Sequence, residues 1–297
     1  MPRSGLKRFR GLPSICLQVR SLCRGGTVAA FALAAWAACT PLRAAPVITT
    51  IAEDSFAYTA NAPLPGNNGG TGWSGPWASD SNFFTSFNVG AASLTVPGLT
   101  SSGGRIVFRT GGSLLNDSAR SLPLQNTGVV FVQFLSQFST QSGGGTPSIR
   151  LFSGSTIAGG AGNNGSCGSP VYAILDSTLQ APIASACSTV PLSTLAAVVL
   201  RIDYTANNTR MWVLSSLTGF DYLNPPAPSA EYAGLAPAFN KIAVYTRNPG
   251  TLDELKVFRV SESPAAPQPV PVGGLALWGA MAGALALLAA RRLHSKR

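Results

Sequence analysis

Histidine is almost absent from this sequence. The only one in the 297 residues is His294, close to the C-terminus. The body of the chain therefore has no imidazole for a Ser-His-Asp triad, for a Cys-His pair or for a histidine-ligated zinc ion. Hydrolytic mechanisms that depend on histidine are excluded there.

Acidic residues are also few, with 11 Asp and Glu in all. Glycoside hydrolysis needs only two carboxylates, and jelly-roll glycanases place theirs as Glu-x-Asp-x-Glu on one strand, where alternate residues share a face. This sequence has no such cluster: Asp253 and Glu254 are adjacent and should point to opposite faces, while Glu53-Asp54 and Asp203 stand alone. The sequence predicts that the protein is not an enzyme.

Charge is concentrated at the two ends of the chain. The formal net charge is +10, but eleven of the 21 Lys and Arg lie in residues 1–44 and 291–297, where there is no acid. The remaining Lys and Arg are balanced by the acids. A near-neutral body offers no basic surface for a phosphate backbone, so we exclude nucleic acid as a partner.

The N-terminal 44 residues have the order of a secretory signal peptide. A basic, acid-free region is followed by the apolar residues 27–38 (TVAAFALAAWAA) and by small residues around Ala44. Twelve residues reach only about 18 Å as a helix, too short for a membrane span. We therefore expect export through the translocon and cleavage by signal peptidase after Ala44. The alternative is a lipoprotein that begins at Cys39.

Cysteine is scarce as well, with five in the chain. Cleavage after Ala44 would remove three of them and leave only Cys167 and Cys187, each in a loop-like setting (NNGSCGSP and ASACSTVP). An even remainder in an exported protein predicts a disulfide between them. The alternative is two unrelated buried thiols.

The C-terminal region has the pattern of a membrane anchor. A Pro-rich spacer, residues 263–271 (SPAAPQPVP), precedes the uncharged residues 272–290, which would span about 28 Å as a helix. Arg291 and Arg292 begin a basic tail, residues 291–297, that should remain cytoplasmic. We therefore expect an inner-membrane anchor with residues 45–262 exported as an ectodomain.

This end resembles the tripartite PEP-CTERM and IPTL-CTERM sorting signals, which consist of a short Pro-containing motif, an apolar helix and an Arg-rich end. The motif position is occupied by Val270, Pro271, Val272, Gly273 and Gly274, and the Arg-rich end by Arg291 and Arg292. The resemblance implies processing by an exosortase-type membrane protease, with transfer to the cell surface or the extracellular space.

Residues 45–262 show short apolar runs bounded by Gly, Asn, Ser and Pro, and no sustained helical periodicity. This pattern is typical of strands. The clearest runs are residues 105–109, 129–135, 148–152, 171–175, 197–204, 210–214, 241–245 and 252–260. Charged residues alternate with apolar ones in residues 200–204 and 255–260, as in a sheet with one wet face. We predict an all-β fold, a two-sheet jelly-roll sandwich, followed by the one C-terminal transmembrane helix.

The order of features in residues 50–260 resembles the concanavalin A-like, laminin-G-like jelly rolls. The resemblance rests on an early DSFAY (residues 54–58), the stretch NGGTGWSGPW (residues 68–77) and a closing LDELKV (residues 252–257). It implies that the opening strand lies beside the closing one and that Trp73 and Trp77 stand at the turn after the first strand. It implies no activity.

Two hypotheses for the function remain: a non-catalytic exported surface or matrix protein, or a carbohydrate-binding, less often carbohydrate-cleaving, module. Trp73 and Trp77 are the candidate ligand-binding residues, since an indole face stacks on a sugar ring, with a loop plug as the alternative. Tyr222 offers a similar face, and Trp212 is expected in the core. No cofactor is expected. A calcium site is the alternative, and its candidate ligands are Asp80, Asn82, Asn116, Asp117, Asn163 and Asn164. Turn-forming roles are more usual for residues of these types.

Overall fold

The computed structural model describes residues 46–79, 87–108, 116–139, 147–163, 165–246 and 249–262. The chain divides after Ala44, and all described residues belong to the second unit, Ala45–Arg297. The signal peptide predicted in residues 1–44 lies outside the described residues, as do the spacer, the transmembrane helix and the basic tail predicted in residues 263–297. Among the residues that are described, no helix has the length and hydrophobicity needed to cross a membrane.

The described part of the chain is made of strands, with a single 3-10 helix at Ala184–Ala186. The strands are β1 (Pro46–Asp54), β2 (Asn88–Gly90), β3 (Arg105–Phe108), β4 (Asn116–Gln125), β5 (Val129–Phe138), β6 (Ser148–Ser153), β7 (Thr156–Gly162), β8 (Val171–Leu175), β9 (Cys187–Pro191), β10 (Ala196–Asp203), β11 (Asn208–Leu214), β12 (Ala230–Ala233), β13 (Phe239–Thr246) and β14 (Gly250–Glu262). The prediction of an all-β fold is confirmed.

The strands form two sheets in which every pairing is antiparallel. The larger sheet has the order β12-β11-β10-β5-β14-β3-β2, with β1 also paired to β14, and the smaller sheet has the order β4-β13-β6-β7-β8-β9. β1 pairs with the C-terminal half of β14, from Pro46 opposite Glu262 to Asp54 opposite Leu255. The two-sheet sandwich and the pairing of the opening with the closing strand are thus as expected from the sequence.

Alternate residues of β5 separate two hydrophobic clusters. Val130, Val132 and Phe134 belong to the main core, together with residues of the smaller sheet such as Tyr172 and Ile242. Each such side chain contributes about 1.5–3 kcal/mol when it is fully buried. This core joins the two sheets.

The opposite face of the larger sheet, which we call the outer face, carries a second cluster. Phe131, Trp212 and Phe258 are buried there, and Val96 and Leu217 cover them from the loops of residues 91–104 and 215–229. The sequence predicted that this face would be wet. Part of it is instead a small core of its own, because two long loops fold back across it.

The disulfide predicted between Cys167 and Cys187 is present. It joins the loop before β8 to the first residue of β9, 20 residues apart in sequence. Closing a loop of this length should stabilise the fold by about 3 kcal/mol through the entropy of the unfolded chain. The bridge holds the edge of the smaller sheet, away from the outer face of the larger one.

Candidate functional site

A polar cleft of about 290 Å³ opens on the outer face of the larger sheet. It lies over strands β1, β14 and β5, and the loop of residues 91–104 forms one wall. The residues that line it are Glu53, Asp54, Ser55, Gly70, Leu99, Thr100, Ser102, Gln133, Glu254, Leu255 and Lys256. We call this feature the outer-face cleft.

Glu53 and Lys256 are opposite each other in the β1–β14 pairing and form an ion pair in the cleft. The distance between Lys256 Nζ and Glu53 Oε2 is 3.1 Å, and both side chains are partly exposed. Since the pair is open to solvent, it contributes little to stability, roughly 0–1 kcal/mol. Either group can therefore leave its partner for a ligand at small cost.

Glu254 enters the cleft because β14 is irregular at this point. The register between β14 and β5 shifts between Asp253 and Lys256, and Glu254 has a φ of +49°, which is rare for a residue with a side chain. Its carboxylate Oε1 accepts a hydrogen bond of 2.7 Å from the backbone N–H of Ser102. Burial raises the pKa of Glu254, the Ser102 N–H opposes this, and the nearby Glu53 carboxylate raises it further.

Asp253 lies beneath the loop of residues 91–104 and holds it to the sheet. Its Oδ2 accepts a hydrogen bond of 2.7 Å from the backbone N–H of Leu94, and its Oδ1 accepts one of 2.8 Å from that of Glu254. Burial raises the pKa of Asp253 to about 7, although both N–H donors favour the charged form. Asp253 is thus a structural group under the cleft wall, next to a residue that lines the cleft.

Gln133 forms part of the floor of the cleft. It lies on β5 opposite Lys256, and its side chain is only 3 % exposed. Its Oε1 accepts a hydrogen bond from the hydroxyl of Tyr222, and no bond of its amide nitrogen to another described residue is present. The amide nitrogen is therefore a donor that a ligand or water in the cleft can use.

The two tryptophans proposed as ligand-binding residues lie beside β1 and away from the cleft lining. Trp77 is 1 % exposed, and its indole N–H donates a hydrogen bond of 2.8 Å to Asp54 Oδ2. Trp73 is half-buried, packs on Trp77 and donates to the backbone carbonyl of Glu53. Trp77 has no free face for a sugar, so the structure corrects its ligand-binding assignment and favours the loop plug.

A buried ion pair explains why this plug exists. Arg120 on β4 lies 2.6 Å from Asp54 on β1, with almost no exposure of either side chain, and its guanidinium lies over both Trp73 and Trp77. Asp54 and Arg120 therefore link the two sheets, and the indole rings exclude water from the link. Asp54 borders the cleft from the side that faces the smaller sheet.

The other aromatic candidates belong to the outer-face cluster. Trp212 is buried and donates from its indole nitrogen to the carbonyl of Pro226, and Tyr222 packs edge-on against Phe131 and Phe258. Burial raises the pKa of the Tyr222 hydroxyl to about 12. Tyr222 does not line the cleft and is linked to it only by its hydrogen bond to Gln133.

The calcium candidates are not brought together in the described residues. Asn163 donates to the carbonyls of Ser169 and Val171, and Asp117 accepts from Ser79, while Asp80, Asn82 and Asn164 lie outside the described ranges and only the backbone of Asn116 is described. No group of three His, Cys, Asp or Glu among the described residues is arranged to hold a metal ion. The calcium alternative stays a prediction.

The sorting and anchor residues Val270, Pro271, Val272, Gly273, Gly274, Arg291 and Arg292 also lie outside the described residues. The assignment of a sorting signal therefore stays a prediction.

Comparison with known proteins gives similar structures and no family. No family model matches the chain, and no curated protein matches it. Among solved structures, a sialidase is similar at 10% identity over 60% of this chain, with a TM-score of 0.35, and the chain spans only 17% of its length. A family 16 glycosyl hydrolase from Mycobacterium smegmatis (13% identity, 70% of this chain, 100% of that one, TM-score 0.36) and peanut lectin (10% identity, 74% and 100%, TM-score 0.36) are also similar.

The presence of glycoside hydrolases among these structures contradicts the prediction that the protein is not an enzyme. Glu53 is also not isolated in the fold, contrary to the assumption behind that prediction. The pairing of β1 with β14 brings Glu53 and Glu254 into one cleft from two strands rather than from one. A search for single-strand spacing does not detect such a pair.

Proposed function

We propose that this protein is an exported carbohydrate-binding protein and that it holds a neutral glycan in the outer-face cleft. The observation that carries the proposal is the set of polar side chains that line one cleft, namely the amide of Gln133, two carboxylates and an ammonium group. The volume of about 290 Å³ is near the lower end of the range for small-ligand sites, roughly 300–1,000 Å³.

The chemistry of the lining fits a ligand with many hydroxyl groups. A sugar hydroxyl both donates and accepts: it can donate to Glu53 or Glu254 and accept from Gln133 Nε2 or Lys256 Nζ. Leu99 supplies an apolar surface for the C–H side of a ring. Hydrogen bonds to the charged groups would contribute more than those between neutral groups.

The charge of the cleft favours neutral over acidic glycans. Asp54 is neutralised by Arg120 behind the lining, which leaves two glutamates facing one lysine. A uronate or sulfated sugar would bring a further negative charge next to Glu53 and Glu254. Like charges at such short distances are unfavourable, so the ligand class we propose is a neutral oligosaccharide or polysaccharide.

The proposal places this binding domain outside the cytoplasm. The signal peptide in residues 1–44, the spacer in residues 263–271 and the apolar residues 272–290 support export and attachment to the inner membrane. The partners proposed for this route are the translocon, signal peptidase and an exosortase-type protease, which would act at residues 270–274.

Binding is tested with the full chain, isolated after export, on an array of neutral and acidic glycans, with calorimetry on the best ligand. The double substitution Gln133→Met with Tyr222→Phe removes the amide donor, and we expect about 1 kcal/mol of lost binding free energy, or about fivefold in Kd. Tyr222→Phe alone keeps the amide and is the matched control, with a Kd close to that of the wild type. Preference for acidic glycans, or equal binding by all three proteins, contradicts the proposal.

A further inference from the structure

Two carboxylates in the outer-face cleft have different surroundings. Glu53 is ion-paired with Lys256 at 3.1 Å. Glu254 has no cationic partner within salt-bridge distance in the described residues, and it accepts only the backbone N–H of Ser102. Glu53 is therefore directly ion-paired, whereas Glu254 is held by a neutral donor and feels the charge of Lys256 only from beyond salt-bridge distance.

The geometry of Glu254 leaves one oxygen free to carry a proton. Ser102 N–H bonds to Oε1, and Oε2 has no bond to another described residue. A proton on Oε2 would face the cleft, of which Glu254 is a lining residue. Burial raises the pKa of Glu254, which favours the role of proton donor.

Gln133 adds a polar amide to the same cleft. Its oxygen accepts a hydrogen bond from the Tyr222 hydroxyl, and its amide nitrogen has no acceptor among the described residues. A ligand oxygen held there would lie in the same cleft as both glutamates. The cleft thus has a group to position a sugar as well as groups to act on it.

We infer that the outer-face cleft hydrolyses the glycosidic bond of a neutral glycan, with Glu254 as the acid that protonates the leaving oxygen and Glu53 as the base that takes a proton from water. This inference rests on the proposed function, since hydrolysis requires that a glycan bind in the cleft. Glycoside hydrolysis by inversion uses such a pair of carboxyl groups, one as the acid and the other as the base.

The step balances without a metal or a redox partner. The bond between the anomeric carbon and the glycosidic oxygen breaks as that oxygen takes the proton of Glu254, and the oxygen of a water molecule bonds to the anomeric carbon. Glu53 takes the proton that this water loses. The net reaction adds one water across the bond, and proton exchange with solvent returns both carboxyl groups to their starting forms. Lys256 stabilises the charge of Glu53 before the step.

The full exported chain is incubated with soluble glucans, mannans, xylans and galactans, and new reducing ends are measured. We expect release from at least one of them. Glu254→Gln keeps an acceptor for Ser102 N–H and should lower kcat/KM by about 100-fold or more with Kd changed less than threefold. Glu53→Gln should lower it similarly. Glu262→Gln, at the exposed end of the same strand as Glu254, is the control and should leave the rate unchanged.

A substrate with a good leaving group distinguishes the role of the acid from the role of the base. On a dinitrophenyl glycoside of the preferred sugar, which needs no proton on its leaving oxygen, Glu254→Gln should cleave within about threefold of the wild-type rate. Glu53→Gln should remain at least about 100-fold slower. Equal losses for both variants on this substrate would overturn the assignment of Glu254 as the acid.

The failures of the two proposals are distinguishable. A chain that binds a neutral glycan with the dependence on Gln133 described above, but releases no reducing ends, overturns hydrolysis and leaves the binding function intact. A chain that binds no glycan overturns both. Hydrolysis that survives both glutamate substitutions overturns the placement of the reaction in this cleft.

Discussion

At the scale of single residues, neighbouring carboxylates on one strand have separate tasks. Glu53 and Asp54 are adjacent on β1, and alternation sends Glu53 to the outer face and Asp54 between the sheets. Asp54 accepts hydrogen bonds from the N–H of Phe56, the hydroxyl of Tyr58, the indole of Trp77 and the guanidinium of Arg120. The alternation was predictable from the sequence, but the four donors that make Asp54 structural and leave Glu53 for the cleft were not.

Asp253 gives a pH dependence whose sign follows from its raised pKa. The folded-state pKa is about 7, above the ordinary value of 3.8, so the folded protein holds a proton that the unfolded chain releases. The stability from this group is fully present below about pH 3.8 and is lost as the pH rises to about 7, by at most about 1.4 kcal/mol per pH unit.

The test is urea unfolding of the wild type and of Asp253→Asn at several pH values from 5 to 8. The amide of the variant does not titrate, so we expect the stability of the wild type relative to the variant to fall as the pH rises to about 7. Above that pH the difference should level off, because Asp253 is then ionised in both the folded and the unfolded chain. Glu254 interacts with Asp253, so the difference reports the titration of this pair rather than of Asp253 alone. A difference that stays constant from pH 5 to 8 would mean that Asp253 is ionised throughout this range and held in that form by its N–H donors.

At the scale of elements, the apolar runs predicted eight strands that the structure contains, namely β3, β5, β6, β8, β10, β11, β13 and β14. The missed strands have other compositions. β4 (NDSARSLPLQ) is polar because its buried positions include Arg120, which pairs with Asp54, and β7 (TIAGGAG) is rich in glycine. Strands stabilised by cross-strand partners rather than by their own apolar side chains leave little signal in a local pattern.

The candidate site escaped prediction for a related reason. Glu53 and Glu254 are about 200 residues apart, and the irregularity that turns Glu254 into the cleft is not visible in the letters LDELKV. The resemblance to laminin-G-like jelly rolls implied that the opening strand would lie beside the closing one. That implication was correct, and it is the pairing that joins the two carboxylates.

The glycines of NGGTGW explain how this loop protects the free edge of β1. Thr71 exchanges two backbone hydrogen bonds of 2.9 Å with Glu53, and Gly72 passes so close to β1 that a Cβ there would lie 1.8 Å from the carbonyl oxygen of Ile51. The φ of Gly72 is +77°, which side chains rarely adopt. The loop therefore needs glycine at this position on two independent grounds.

We expect Gly72→Ala to lower the free energy of unfolding by about 1–3 kcal/mol, through strain at a positive φ and the loss of contact with β1. Gly75→Ala is the control in the same loop, since a Cβ added to Gly75 would have no other atom within 4 Å and the φ of Gly75 is not positive. That variant should stay within about 0.5 kcal/mol of the wild type. Urea unfolding of both variants measures the difference, and equal stabilities would show that the loop is not fixed to β1.

At the scale of the whole molecule, β1 and β14 place the two ends of the described domain side by side. Pro46 is opposite Glu262, and residues 46–50, 261 and 262 are exposed. Glu254 lies eight residues before Glu262, about 27 Å along an extended strand. The end that would connect to the spacer is thus distant from the cleft, so attachment through residues 263–290 would leave the cleft accessible to a large glycan.

The separation of domain and anchor predicts the behaviour of a shortened chain. Truncation after Glu262 removes none of the described strands and none of the described core residues, so the product should fold and unfold cooperatively and should be released in soluble form after export. The full chain should stay in the membrane fraction until a protease acts, and sequencing of either exported form should find Ala45 at the N-terminus. Fractionation, urea unfolding and N-terminal sequencing measure these outcomes.

The double substitution Arg291→Ser and Arg292→Ser is the companion variant, because it changes the tail and leaves residues 45–290 intact. Moving those charges into the bilayer is unfavourable by about 2.5–3.5 kcal/mol each, so their removal should weaken membrane retention without altering the stability of the domain. An insoluble or non-cooperative truncated protein would show that residues after Glu262 pack on the domain. Retention unchanged by both serines would show that the apolar length of residues 272–290 is sufficient for anchoring.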